Sequence, residues 1–312
     1  MTDPADALFS GADEVGRTDA LLVQRGGEVV LERYGADVDA STTLRSWSMA
    51  KSMLHACVGM LVADGRLDLD APAPVPAWSD PDDPRHAITL RNLLEMRPGL
   101  QWSEVYAPEV GSDVVEMLFG REWEPQPDVA AFAAEKPLAN EPGSTFVYSS
   151  GTSNIVSGIV RDEVGAGDAY RAFLRDRLFG PLGMASADPR FDDVGTWIAS
   201  SYCFCTARDF ASFGQLYLDD GVRDGVRLLP SEWVATATTT ISKDEVGDRH
   251  SMHWWQMWAD RFPSSFNAAG YEGQLIAVVP SLDLVAVRLG QTEAEDKTVL
   301  RRHFGDVIAS FS

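Results

Sequence analysis

Apolar and polar positions along this chain follow a strand period near both ends and a helical period between them. From Asp19 to Tyr34, two aliphatic, β-branched runs flank Gly26-Gly27, which predicts a β-hairpin. From Ser48 to about Ala63, the residues Met49, Met53, Leu54, Cys57, Val58, Leu61 and Val62 recur at three- and four-residue spacing. That spacing predicts a long helix, with Gly65 where a C-cap belongs. The Pro- and Asp-rich stretch Asp68–Arg85 reads as a crossing loop. Helical segments are expected around 90–95, 113–118, 128–135, 152–163, 169–178, 207–219 and 230–237. Strand character returns in the aromatic-rich run His250–Ala259 and in Leu275–Val279, and after the turn 280–283 it resumes in Leu284–Leu289. Thr292-x-x-Glu295 has the form of a capping box opening a last helix, with Val299, Leu300, Phe304, Val307, Ile308 and Phe311 on one face.

This order predicts an α/β (α+β) fold in which one antiparallel sheet is assembled from both chain ends. Residues 1–72 and 240–312 would form a discontinuous α/β lobe, and 73–239 a mainly helical one. The 312 residues suffice for one large domain or two lobes sharing a core.

Charge narrows the function classes. The chain carries 26 Lys and Arg against 47 Asp and Glu, a net charge of −21. A field of that sign repels phosphate backbones and anionic lipid, so neither nucleic acid nor a membrane surface is an expected partner. The carboxylate surplus reads as a solvated surface suited to high salt. Cys57, Cys203 and Cys205 are an odd set, which suits a reducing compartment. The first residues have neither a basic nor an apolar signal region, and no apolar run approaches 18 residues, so a soluble cytoplasmic protein is expected.

Lysine is scarce: only Lys51, Lys136, Lys243 and Lys297 occur, and Lys51 closes the chain's single S-x-x-K, Ser48-Met49-Ala50-Lys51. At i and i+3 in a first helical turn, the two side chains share a face. A serine becomes a nucleophile when a neighbour takes its proton, and a desolvated lysine can be that neighbour. The alternative on spacing alone is a capping serine beside a solvated lysine. Tyr148, in Tyr148-Ser149-Ser150-Gly151, falls on a loop before a helix, either packed or placed to relay a proton. Gly270-Tyr271-Glu272-Gly273 enters a buried-type strand, either as a bulge or as a close approach of the kind an oxyanion donor needs.

Together, Ser48-x-x-Lys51, Tyr148-Ser149-Ser150 and the late Gly-rich strand entry resemble the serine β-lactamase/penicillin-recognising superfamily. The closer resemblance is to its class C-like esterase branch, which includes the 6-aminohexanoate-dimer hydrolases. The likeness runs from about Asp19 to Phe311, supported by 65-GRLDLD-70, 179-FGPLGM-184 and 206-TARD-209. The resemblance implies a β-lactamase/DD-peptidase-like fold with the active site at the lobe junction, and acyl transfer without a cofactor. Ser48 would be the nucleophile. Lys51 and Tyr148 would share general-base and general-acid duty, and the N–H groups of Ser48 and Tyr271 would form the oxyanion hole. Substrate would meet Tyr106, Ser150, Gly270, Trp102 and Trp255.

Two departures matter. The family's third motif, lysine-threonine-glycine or histidine-x-glycine, is here Ala268-Ala269-Gly270, without a cation for a substrate carboxylate. The second motif ends in Ser150 in place of asparagine, a change the esterase branch shares. Small esters or linear amides are therefore expected as substrates. The alternatives are a D-amino-acid amidase or β-lactamase-like enzyme, and a non-catalytic binding module of the same fold. Trp254, Trp255 and Trp258 would either wall the acyl pocket or form a core stripe. No HExxH, G-x-S-x-G or phosphate-binding glycine motif occurs, so no metal and no nucleotide cofactor is expected.

Overall fold

The computed structural model describes residues 3–10, 12–106, 111–120, 122 and 124–312. Five strands form its main sheet: β1 (Arg17–Arg25), β2 (Glu28–Tyr34), β3 (Phe266–Gly270), β4 (Gln274–Val279) and β5 (Leu284–Gln291). Their spatial order is β3-β4-β5-β1-β2, antiparallel throughout, so the N-terminal hairpin pairs with the C-terminal strands through β1 and β5. Gly26 and Gly27 both have positive φ (58° and 78°), as a two-residue hairpin turn requires, and Arg25 pairs with Glu28 across it.

Five helices matter for the site: α1 (Pro4–Ser10), α2 (Met49–Ala63), α3 (Ser150–Val164), α4 (Ala207–Leu218) and α5 (Lys297–Ala309). The sheet is apolar on both faces. Ala20, Leu22, Ile276, Val278, Val285 and Val287 point into the core shared with α2 and α4. Their alternates Leu21, Val23, Leu275, Ala277, Leu284 and Ala286 meet α1 and α5. The period-2 alternation of each strand therefore feeds two cores, and each fully buried Leu or Val adds about 1.5–3 kcal/mol. Helix α2 is buried continuously from Met49 to Leu61, because it runs between the sheet and α3. Its end is closed by Gly65 at φ 71°, with the Arg66 N–H on the Leu61 carbonyl.

Two expectations are corrected, and one strand is added. The run His250–Ala259 is not a strand: Arg249–His250 makes a two-residue pairing, and the chain then turns through His253 at φ 58°. Its tryptophans are needed in separate places, which one strand cannot supply. The capping box also fails. Thr292 donates its hydroxyl to the Val15 carbonyl instead, and α5 begins after Asp296 with no side-chain cap. Edge strand β3, rich in Ala and Gly, had no strand signature and exists because β4 pairs with it.

Candidate active site

Ser48 sits at the N-cap of α2, preceded by Trp47 at φ 46°, a conformation uncommon for a bulky residue and typical of functional turns. Its side chain makes no capping bond. Lys51, one turn on, is 2% exposed, yet among the described residues no carboxylate lies within ion-pair distance of it. Its Nζ lies 2.9 Å from Ser48 Oγ, 3.0 Å from Ser150 Oγ and 2.9 Å from the Ser200 carbonyl. Burial among these neutral oxygens draws the Lys51 pKa down to about 8, with the more distant Glu104 charge opposing the fall.

Ser150 opens α3, capped by Ser149, whose hydroxyl accepts the Thr152 N–H at 2.9 Å. Glu104 reaches over from a preceding loop. Its two oxygens accept the Ser150 hydroxyl at 2.5 Å and the Ser150 N–H at 2.8 Å, and the second oxygen also accepts the Trp102 indole N–H at 2.6 Å. Trp102 lies flat on α3 because position 151 is glycine; a Cβ there would meet its ring at 2.4 Å. Tyr148 stands beside this group, its ring centroid 5.0 Å from Lys51 Nζ. Burial raises the Tyr148 pKa, and contacts with the Ser48 hydroxyl and the Trp255 indole hold back the rise.

These groups open onto a cleft of about 460 Å³, a size suited to a small ligand. Its far wall is the end of β3. A Cβ on Gly270 would fall 2.5 Å from the Ser46 carbonyl, so only glycine lets this edge approach the Ser48 turn. The following Tyr271 stacks on Tyr106 with centroids 4.4 Å apart, and Trp47 meets both edge-on. The Tyr106 hydroxyl, shielded from solvent, makes no hydrogen bond of ordinary geometry among the described residues, with the Ser150 side chain beside it. Trp255 forms another wall against Tyr148 at 5.4 Å.

The structure thus brings Ser48, Lys51, Tyr148, Ser150, Tyr106, Gly270, Tyr271 and Trp255 to one place. Trp102 and Ser150 stand behind the wall and not along the cleft: one packs on α3, and the other is fully buried under Lys51. Of the three clustered tryptophans, Trp255 alone lines the cleft. Trp254 stacks on Phe213 in the core, and Trp258 packs on Phe304 behind the sheet. Although the third motif has no cation, two cations among the described residues, Lys297 and Arg301, enter the cleft from α5. Lys297 Nζ lies 5.1 Å from the Tyr271 ring centroid, and Arg301 is paired with Asp248 at 2.6 Å. Sequence reasoning placed Glu104 beside Trp102 and Tyr106 as a pocket candidate without its bond to Ser150, and gave no role to the Ser200 carbonyl or to His250. His250 lies fully buried behind Tyr148 and Trp255, its pKa drawn down to about 3 by burial and by Lys51.

Among the described residues, no cluster of His, Cys, Asp or Glu could hold a metal ion, and no helix is long and apolar enough to cross a membrane. The three cysteines are free and buried.

Known proteins resemble this chain in sequence and in fold. The chain is 27% identical over 291 residues to the 6-aminohexanoate-dimer hydrolase of Paenarthrobacter ureafaciens, covering 87% of this chain and 72% of that one. Among solved structures, a Bacillus anthracis protein named as a candidate 6-aminohexanoate-dimer hydrolase superposes with a TM-score of 0.80. It is 23% identical, covering 95% of this chain and 79% of that one. A family VIII carboxylesterase superposes with a TM-score of 0.73 at 16% identity, covering 100% and 97%. A family model described as Beta-lactamase matches residues 6–307, nearly the whole chain and every side chain gathered around Ser48, and the chain belongs to that family.

Proposed function

We propose that the protein is a serine hydrolase of small carboxylic esters or linear amides, working through an acyl-Ser48 intermediate. The observation that carries this reading is a buried Lys51 whose Nζ lies 2.9 Å from Ser48 Oγ among neutral acceptors. With its pKa near 8, a useful fraction of Lys51 is neutral at physiological pH and can take the Ser48 proton. Ser48 Oγ then attacks the carbonyl carbon, and the oxyanion receives the N–H groups of Ser48 and Tyr271. Burial keeps Tyr148 protonated, which suits it to donate to the leaving oxygen or nitrogen and to recover that proton from Lys51. Water entering the open cleft attacks the acyl-enzyme, and the same groups run in reverse.

The Tyr106 hydroxyl, which makes no hydrogen bond of ordinary geometry among the described residues, supports an amide substrate, because it offers a group for the scissile nitrogen. The name of the Paenarthrobacter relative points the same way, and that of the carboxylesterase points to esters. Exposure to a fluorophosphonate probe, with hydrolysis of p-nitrophenyl acetate, p-nitrophenyl butyrate and the linear 6-aminohexanoate dimer, tests the proposal. Labelling and turnover are expected in wild type and not in Ser48→Ala; equal behaviour of the two overturns it. Nitrocefin should be cleaved slowly. Brisk cleavage would mean that Lys297 and Arg301 replace the missing third-motif cation, favouring the β-lactamase-like alternative.

A further inference from the structure

We propose that Glu104 is a positioning residue that acts through the Ser150 hydroxyl to turn the Lys51 lone pair onto Ser48. The inference rests on Ser48 and Lys51 being nucleophile and base.

It follows from counting hydrogens. A neutral lysine amine has two N–H bonds and one lone pair, and Lys51 has three partners. The Ser200 carbonyl can only accept. The Ser150 hydroxyl could in principle donate to Lys51, but it has one hydrogen, and the Glu104 carboxylate 2.5 Å away takes it. Ser150 is thereby left as an acceptor toward Lys51 at 3.0 Å. Both Lys51 hydrogens are spoken for, and the lone pair falls to Ser48 at 2.9 Å, where the hydrogen must come from the serine. Without the carboxylate, Ser150 is free to donate to Lys51, the amine turns, and Ser48 receives an N–H instead. Glu104 is itself held by the Ser150 N–H and the Trp102 indole. Among the described residues, the other titratable groups facing Lys51 are Tyr148, His250 and His253; burial keeps the tyrosine protonated and both imidazoles neutral, so Glu104 supplies the charge.

The test is a cycle of wild type, Glu104→Gln, Ser150→Ala and the double variant, with p-nitrophenyl butyrate kcat/KM followed from pH 5 to 10. Glutamine is nearly isosteric and keeps an acceptor, but its amide can donate to Ser150 Oγ and release the hydroxyl hydrogen. In Glu104→Gln the high-pH plateau should fall about tenfold or more. Its acid limb should also move to lower pH, because a charge that raises the Lys51 pKa has gone. In the Ser150→Ala background, Glu104→Gln should lower the plateau little further. Additive losses, a plateau unchanged in Glu104→Gln, or a lowered plateau with an unmoved acid limb would each overturn the proposal. If Glu104→Gln does not fold, Ser150→Ala alone decides: its plateau should fall with the acid limb retained, and an unchanged plateau overturns the idea. Mass-spectrometric mapping of the fluorophosphonate adduct in wild type separates this inference from the reading beneath it. An adduct at Ser48 with additive variants sinks the Glu104 role alone, and no adduct at Ser48 sinks the hydrolase reading.

Discussion

Two buried cations, Lys51 and Arg288, differ in their surroundings in an instructive way. Arg288, on β5, is 0% exposed and donates to the carbonyls of Glu272, Gly273 and Arg17 and to the Thr18 hydroxyl. Its planar fork satisfies three backbone acceptors at once and ties the turn after Tyr271 to β1. Burial lowers its pKa only to about 10, so it stays charged. Lys51 also bonds only neutral oxygens, a carbonyl and two hydroxyls, so the difference lies in the head group. Its pKa of about 8 lets it switch between donor and acceptor. Burial alone therefore does not make a cation reactive. What matters is whether the head group can lose its proton.

This contrast predicts opposite mutational signatures. Ser48→Ala and Lys51→Met should lower kcat/KM for p-nitrophenyl butyrate by about a thousandfold or more. Urea-unfolding free energies should stay within about 1 kcal/mol of wild type, since a buried unpaired ammonium contributes little net stability. Arg288→Ala should reverse the pattern, costing about 3 kcal/mol or more of stability by leaving buried carbonyls without donors. Arg288→Lys should recover only part of that loss, because an ammonium cannot span the three carbonyls.

A pH series sharpens the comparison. Activity should rise with pH through about 8 as Lys51 loses its proton. Between about 8 and the ordinary lysine range, the unfolded chain holds more protons at this site than the folded one. The stability of wild type relative to Lys51→Met should therefore increase with pH across that window, by at most about 1.4 kcal/mol per pH unit, and be flat below it. An unchanged difference would place the Lys51 pKa elsewhere. Gly270→Ala should cost about 1–3 kcal/mol by urea unfolding as the β3 edge withdraws from Ser46.

Much of this molecule is legible in the chain because the determinants are local. The Gly26-Gly27 hairpin, the apolar runs of β4 and β5 and the three-residue step from Ser48 to Lys51 are short-range patterns, and each appears where the chain predicts it. The misses have a common origin. His250–Ala259 has the aromatic content of a strand, yet Trp254, Trp255 and Trp258 go to the main core, the cleft and the second core respectively. Residues 266–270 have weak strand propensity and pair because β4 offers them an edge. Trp102 and Ser150 read as substrate contacts because they are near the right residues in sequence, and packing puts both behind the wall.

The sequence by itself determined which residues could react, since the spacing of a helical turn is a property of the backbone alone. Only the tertiary structure decided that Lys51 is dry and that its partners come from positions 48, 150 and 200. It alone brought Glu104 within reach of Ser150 and chose one tryptophan of three for the cleft. Desolvation and hydrogen-bond direction depend on every group packed around an atom, and those groups are scattered along the chain.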